Sequence, residues 1–154
     1  LVILIFMIIV FTSCGNGNSN IVNDRDDGRK DIPPEFSIWD VSGNELEEIA
    51  FDQVLLISPT DRLEMDVLIK NDGQYPEKVN ILAGGSNGDN FIVSTHDRRC
   101  KSDGELYPGE SCLVTVSILS LPGDAGGEKT AYLVIMNEWG NTVSPVLRGE
   151  TSAL

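Results

Sequence analysis

Histidine is almost missing from this sequence, with His96 the only one in 154 residues. A Ser-His-Asp triad would have to be built on that residue, with a serine aimed at it and an oxyanion hole nearby, and no motif signals either. A zinc-type site would need several His or Cys ligands, and beside Cys100 and Cys112 only His96 is available. No Walker-type loop, HExxH, CxxC or glycine-rich nucleotide loop occurs. Reading Asn23-Asp24-Arg25-Asp26-Asp27-Gly28 as a calcium loop puts Arg25 where a carboxylate is required and Pro34 where the closing Glu belongs. Neither an enzyme, a metal nor a cofactor is expected. Basic residues are also scarce: 11 Lys and Arg stand against 24 Asp and Glu, a formal net charge of −13. Such a surface repels nucleic acid and anionic lipid head groups, so neither is an expected partner through charge. Beyond residue 40 no stretch keeps helical periodicity for three turns, and no apolar run approaches the roughly 20 residues that a membrane-spanning helix needs.

One shorter apolar run is present, Leu1 to Phe11, closed by Thr12-Ser13-Cys14 and followed by Gly15-Asn16-Gly17-Asn18-Ser19-Asn20. It has the length of a signal-peptide h-region ending in small residues. It opens with neither Met nor a basic stretch, so a few residues are expected ahead of Leu1. Phe11, Thr12, Ser13 and Cys14 resemble a bacterial lipobox, which implies removal of residues 1–13 and acylation of Cys14. Residues 14–35 are mostly Gly, Asn, Ser, Asp, Arg and Lys and cannot bury enough surface to offset their ordering entropy; they read as a disordered tether. With Cys14 acylated, Cys100 and Cys112 remain as a pair, and in an exported chain such a pair is expected to form a disulfide.

Residues 36–154 carry short alternating segments separated by turn residues, which predicts an all-β sandwich of about seven strands. Leu63, Met65, Val67 and Ile69 alternate with Glu64, Asp66, Leu68 and Lys70, and Ser111 to Leu119 alternates likewise. Further strands are expected at Ile49–Leu56, Lys78–Ala83, Phe91–Val93, Thr130–Asn137 and Thr142–Gly149. Pro145 places the last one near an edge or a bulge. Asn87-Gly88 suits a tight hairpin. Asn44–Ala50 is the best helical candidate, or else a loop into the first strand. Pro108-Gly109 predicts a type II turn that brings Ser111-Cys112 back toward Cys100.

Phe91, Cys100, the segment Leu106-Tyr107-Pro108-Gly109-Glu110-Ser111-Cys112, the strand after it, the loop Gly123–Gly127, Ala131–Met136 and Gly149 resemble the ASH-type (abnormal-spindle/Hydin-like, choice-of-anchor D-like) immunoglobulin-like domains of bacterial surface proteins. Val67-Leu68-Ile69-Lys70-Asn71-Asp72-Gly73 is similar to the strand ending "I-x-N-x-G" of that family. The resemblance implies an immunoglobulin-like β-sandwich.

The combined expectation is a non-enzymatic protein, lipid-anchored in the bacterial cell envelope at the outer membrane. It would act as a structural or adhesive module on another envelope or extracellular protein. The alternative is a carbohydrate- or ligand-binding accessory lipoprotein of an uptake or degradation system, using Trp139 and Tyr107 as an aromatic platform. Candidate binding residues are Trp139, at an expected hairpin tip, and Arg98-Arg99, whose guanidinium groups suit a carboxylate or phosphate. Trp39 reads either as a binding aromatic or as packing.

Overall fold

The computed structural model describes residues 34–52, 61–101, 103–138 and 140–152. The expected leader 1–13, Cys14, the expected tether up to residue 33 and Trp139 lie outside them. Eight strands follow in order: β1 (Phe36–Asp40), β2 (Glu48–Ala50), β3 (Arg62–Asn71), β4 (Asn80–Gly84), β5 (Phe91–Thr95), β6 (Ser111–Leu119), β7 (Gly127–Asn137) and β8 (Gly140–Thr151). They form two four-stranded sheets, β1-β3-β6-β5 and β2-β8-β7-β4. The first sheet has the A-B-E-D order of an immunoglobulin-type sandwich, and β4, β7 and β8 supply C, F and G of the second. The eighth strand is β2, three residues that run parallel to β8 through Ile49↔Leu147.

Alternation creates the core. In β3 and β6 the paired positions Val67↔Val114 and Ile69↔Cys112 face inward, and every one of these four side chains is fully buried. They meet Ile81, Ala131, Leu133, Ile135 and Leu147 from the second sheet. Burying a Leu or Ile contributes about 1.5–3 kcal/mol, so this double layer is the main stabilising element.

One open expectation is settled and two are corrected. Asn44–Ala50 takes the loop alternative, leading into β2, and is not helical. The Asp40 carboxylate accepts from the backbone N–H groups of Ser42 and Asn44 at 2.9 and 2.8 Å, closing a turn in place of a helix. These bonds, the one from Asn44 first, hold its carboxyl below the usual range. Asn87-Gly88 does not make a hairpin, because β4 and β5 belong to different sheets and a 3-10 turn, Gly88–Asn90, carries the chain across. The expected strand at Ile49–Leu56 ends at Ala50, and residues 53–60 lie outside the described residues. Pro145 does sit at a bulge: Tyr132 pairs with Val146 and Val134 with Val143, so one residue, Leu133, faces both Ser144 and Pro145.

Candidate functional site

The β5–β6 connection displays the candidate basic residues at one end of the sandwich. It begins with a 3-10 turn, Arg98–Cys100, capped by Asp97, whose Oδ1 accepts from the Arg99 N–H at 3.0 Å. The same carboxylate takes the Arg99 guanidinium, with Nη2 at 2.6 Å and Nε at 3.1 Å. Arg99 thereby holds the Asp97 carboxyl below its usual range. The two adjacent arginines thus do different work. Arg99 is committed to its own loop, whereas the Arg98 side chain is 83% exposed and its nearest acid, Asp103, lies 3.8 Å away. Cys100 and Cys112 are joined in a buried disulfide with Cα atoms 5.8 Å apart, as expected.

Glycine lets this loop fold back on itself. A Cβ on Gly104 would fall 2.0 Å from the Arg98 carbonyl oxygen, a backbone clash that no side-chain movement relieves. Leu106 is then fully buried and exchanges two backbone hydrogen bonds with Glu77, at 2.9 and 3.0 Å. Tyr107-Pro108-Gly109-Glu110 is the expected type II turn: Gly109 has φ 78° and the Glu110 N–H donates to the Tyr107 carbonyl at 2.9 Å.

Asn71, which sequence reasoning did not single out as a site residue, ties the region together. Its buried side-chain amide donates to the carbonyls of Tyr75 and Leu106, both at 2.8 Å, and its Oδ1 accepts from the Gly73 N–H at 2.9 Å. Its backbone accepts from Gly109 at 2.7 Å and donates to Glu110 at 3.0 Å. The surface so held is a shallow concavity of about 350 Å³, lined by Lys78, Arg98, Arg99, Asp103, Glu105 and Tyr107. Tyr107 is 51% exposed there. A cation, an aromatic ring and several hydrogen-bonding groups side by side suit a polar, partly anionic partner surface.

A second surface lies on the outer face of the first sheet. Register places Trp39, Leu68 and Leu113 in one row across β1, β3 and β6. Trp39 donates its indole N–H to Ser37 Oγ at 2.7 Å, and the Lys70 ammonium sits 5.7 Å from the indole ring centroid. Lys70 also pairs with Asp72 at 2.6 Å, and Ser37 hydrogen-bonds the same carboxylate. Burial raises the Asp72 carboxyl, but the bonds from Lys70 and Ser37 outweigh it and leave the group below its ordinary value. Trp39, Gly43, Leu68, Lys70 and Ser111 line a groove of about 320 Å³.

His96 is exposed on the basic loop. Among the described residues no group of three or more His, Cys, Asp or Glu is placed to hold a metal ion. No described helix is long and apolar enough to cross a membrane. Trp139 and Cys14, the other two candidate positions, lie outside the described residues.

These features define an all-β sandwich of immunoglobulin-type strand order with a disulfide-pinned loop at one end. No family model and no curated protein sequence matches the chain. Its fold is shared with a protein of unknown function from Porphyromonas gingivalis, at TM-score 0.52 and 10% identity over 76% of this chain and 46% of that one. It is also shared with a family 123 glycoside hydrolase from Clostridium perfringens, at TM-score 0.51 and 11% identity over 80% of this chain and 28% of that one. The chain spans less than half the length of either protein. At such identity the likeness concerns the fold.

Proposed function

We propose that this protein is a lipid-anchored module of the bacterial cell envelope, carried on the outer membrane through Cys14. Its β-sandwich makes structural or adhesive contacts with another envelope or extracellular protein and catalyses no reaction. The observation that carries this reading is the disulfide-pinned loop from Asp97 to Glu110, which holds exposed Arg98 and Tyr107 on a rigid base. A preorganised loop loses little conformational entropy on contact, which favours recognition. The ASH-type resemblance agrees with this. Asn71, Gly73, Cys100, Leu106, Gly109 and Cys112 all converge on this one end, where they clip the loop to the sandwich.

The test is capture of partners from a solubilised membrane fraction by the wild-type chain and by an Arg98→Ala, Tyr107→Ala variant. A specific envelope protein retained by the wild type and at least about tenfold depleted by the variant supports the assignment. Equal retention by the folded variant removes the contact from this loop. A carbohydrate-binding role is the second reading, and the groove beside Trp39 favours it: an indole with Lys70 and Ser111 at its rim offers a stacking face and polar groups together.

A further inference from the structure

Sheet edges expose unpaired backbone N–H and C=O groups and invite pairing unless they are covered, charged or bent. Four strands bound the two sheets, β1 and β5 in one and β2 and β4 in the other. Three of them are defended. β1 is covered by its own chain: the Leu46 N–H donates to the Ile38 carbonyl at 2.7 Å and the Asp40 N–H to the Asn44 carbonyl at 2.8 Å. β2 is only three residues long and carries Glu48, which pairs with Arg148 at 3.3 Å. Where β2 stops short, β8 has Pro145 and its bulge. The end of β4 is overlaid by the following turn, where a Cβ on Gly88 would lie 3.3 Å from the Ala83 carbonyl oxygen.

Among the described residues β5 has no such device. Its sequence, Phe91-Ile92-Val93-Ser94-Thr95, holds no charge and no proline, and its ladder to β6 runs without a register shift. Outside that ladder, the backbone bond found on it among the described residues is from the Phe91 N–H to the Gly88 carbonyl. Ile92 is 42% exposed.

We propose that β5 is a self-pairing edge, on which a second copy of this chain adds its own β5 antiparallel to form one continuous eight-stranded sheet across a two-fold axis. Charge selects this occupant. With the axis at Val93, Phe91 faces Thr95 and Ile92 faces Ser94 of the second copy, so no charge is brought into the joint. The turn before β5 carries exposed Asp89; the turn after it carries Asp97, which stands opposite Asp89 in this register but is neutralised by Arg99 at 2.6 Å, and exposed Arg98, 3.8 Å from Asp103. Antiparallel pairing brings each Asp89 to the end of the joint that holds the other copy's Arg98, twice by symmetry. Parallel pairing would set Arg98 against Arg98 and Asp89 against Asp89. The chain is acidic overall, yet this edge is neutral and its two ends are complementary, so net repulsion is not concentrated there.

The contact names one partner for the envelope module proposed above, and its test needs no other protein. Sedimentation of the purified full chain in detergent, at protein concentrations on the order of 100 µM, reads the monomer–dimer balance directly. The wild type should dimerise. Ile92→Lys, which puts an ammonium in the joint on an exposed position, should leave only monomer. Arg98→Asp should weaken dimerisation by about tenfold or more, and Arg98→Asp with Asp89→Arg should restore it. A wild type that stays monomeric, or a double reversal no better than Arg98→Asp alone, overturns self-pairing. A monomeric wild type that still captures a loop-dependent envelope partner would leave the function proposed above standing while removing this contact.

Discussion

Asp124 gathers four donors on one nearly buried carboxylate. Its Oδ1 accepts from Lys129 Nζ at 2.5 Å and from the Gly126 N–H at 3.0 Å; its Oδ2 accepts from Asn90 Nδ2 at 2.9 Å and Thr151 Oγ1 at 3.3 Å. The side chains of Lys129 and Asp124 are only 11% and 7% exposed. The cluster therefore ties the β6–β7 loop, the β7 and β8 ends and the β4–β5 crossover into one unit. The Lys129 bond is the first cause of a carboxyl held below its ordinary value of 3.8, and burial opposes it. The sign follows directly: between the folded and unfolded values the unfolded chain binds more protons, so acid favours unfolding. The stabilisation is fully present above about pH 4 and is lost as pH falls through the lowered folded value. Asp124→Asn should reduce stability at neutral pH by about 2 kcal/mol, because it leaves the Lys129 ammonium short of its counter-charge. Thermal melts of both proteins from pH 7 to pH 2 should show the gap closing at the acid end. A gap independent of pH would mean that the carboxylate charge is not what stabilises this cluster.

At the scale of elements, the disulfide and the loop it closes form the part of the molecule that packing cannot hold unaided. Among the described residues between Asp97 and Glu110 the fully buried side chains are Cys100 and Leu106; Tyr107 and Pro108 are exposed and the remainder is polar or glycine. A bridge across 12 residues contributes on the order of 3 kcal/mol, much of it by restricting the unfolded chain. Cys100→Ser with Cys112→Ser should lower the melting temperature by on the order of 10 °C while preserving the sandwich. A variant that melts within about 2 °C of the wild type would show that Leu106 and Asn71 hold the loop alone. The bridge, the Pro108-Gly109 turn and the strand β6 were all legible in the sequence, because each rests on local chemistry: paired thiols, a fixed φ before glycine, and strict alternation. β3 was legible for the same reason as β6. What local pattern could not show was which sheet a strand joins. Asn87-Gly88 has hairpin chemistry, but β4 crosses to the other sheet because Ile81 must face Ile135 and its neighbours in β7. β1 was missed because Phe36-Ser37-Ile38-Trp39-Asp40 is too short for its alternation to stand out. The row Trp39, Leu68 and Leu113 exists only through register, since the three lie on strands far apart in sequence.

Taken as a whole molecule, the chain has a sandwich with a neutral edge and a pinned loop, an overall acidic charge, and an N-terminal segment resembling a lipoprotein leader. The charge matters for how attachment is tested. At net −13 the protein as a whole is repelled by anionic head groups, which disfavours peripheral binding through basic residues. Acyl chains on Cys14 would instead contribute about 0.8 kcal/mol per buried CH₂, and more than one chain holds a protein stably where one alone is marginal. Anchoring would also confine copies to a plane and raise their effective concentration, so that a short β5–β5 contact, weak in free solution, becomes populated on a membrane. The two modes of attachment respond oppositely to salt. A lipid anchor survives a high-salt wash, whereas a charge-mediated association is screened away. Wild-type protein expressed in a bacterium should therefore stay with the membrane fraction through about 1 M salt and enter the detergent phase on phase separation. Cys14→Ser should leave the detergent phase, accumulate as uncleaved or soluble protein, and lose the mass of the acyl groups. The same partition and the same mass in both proteins would rule out Cys14 as the anchor, and with it the confinement that favours pairing at β5.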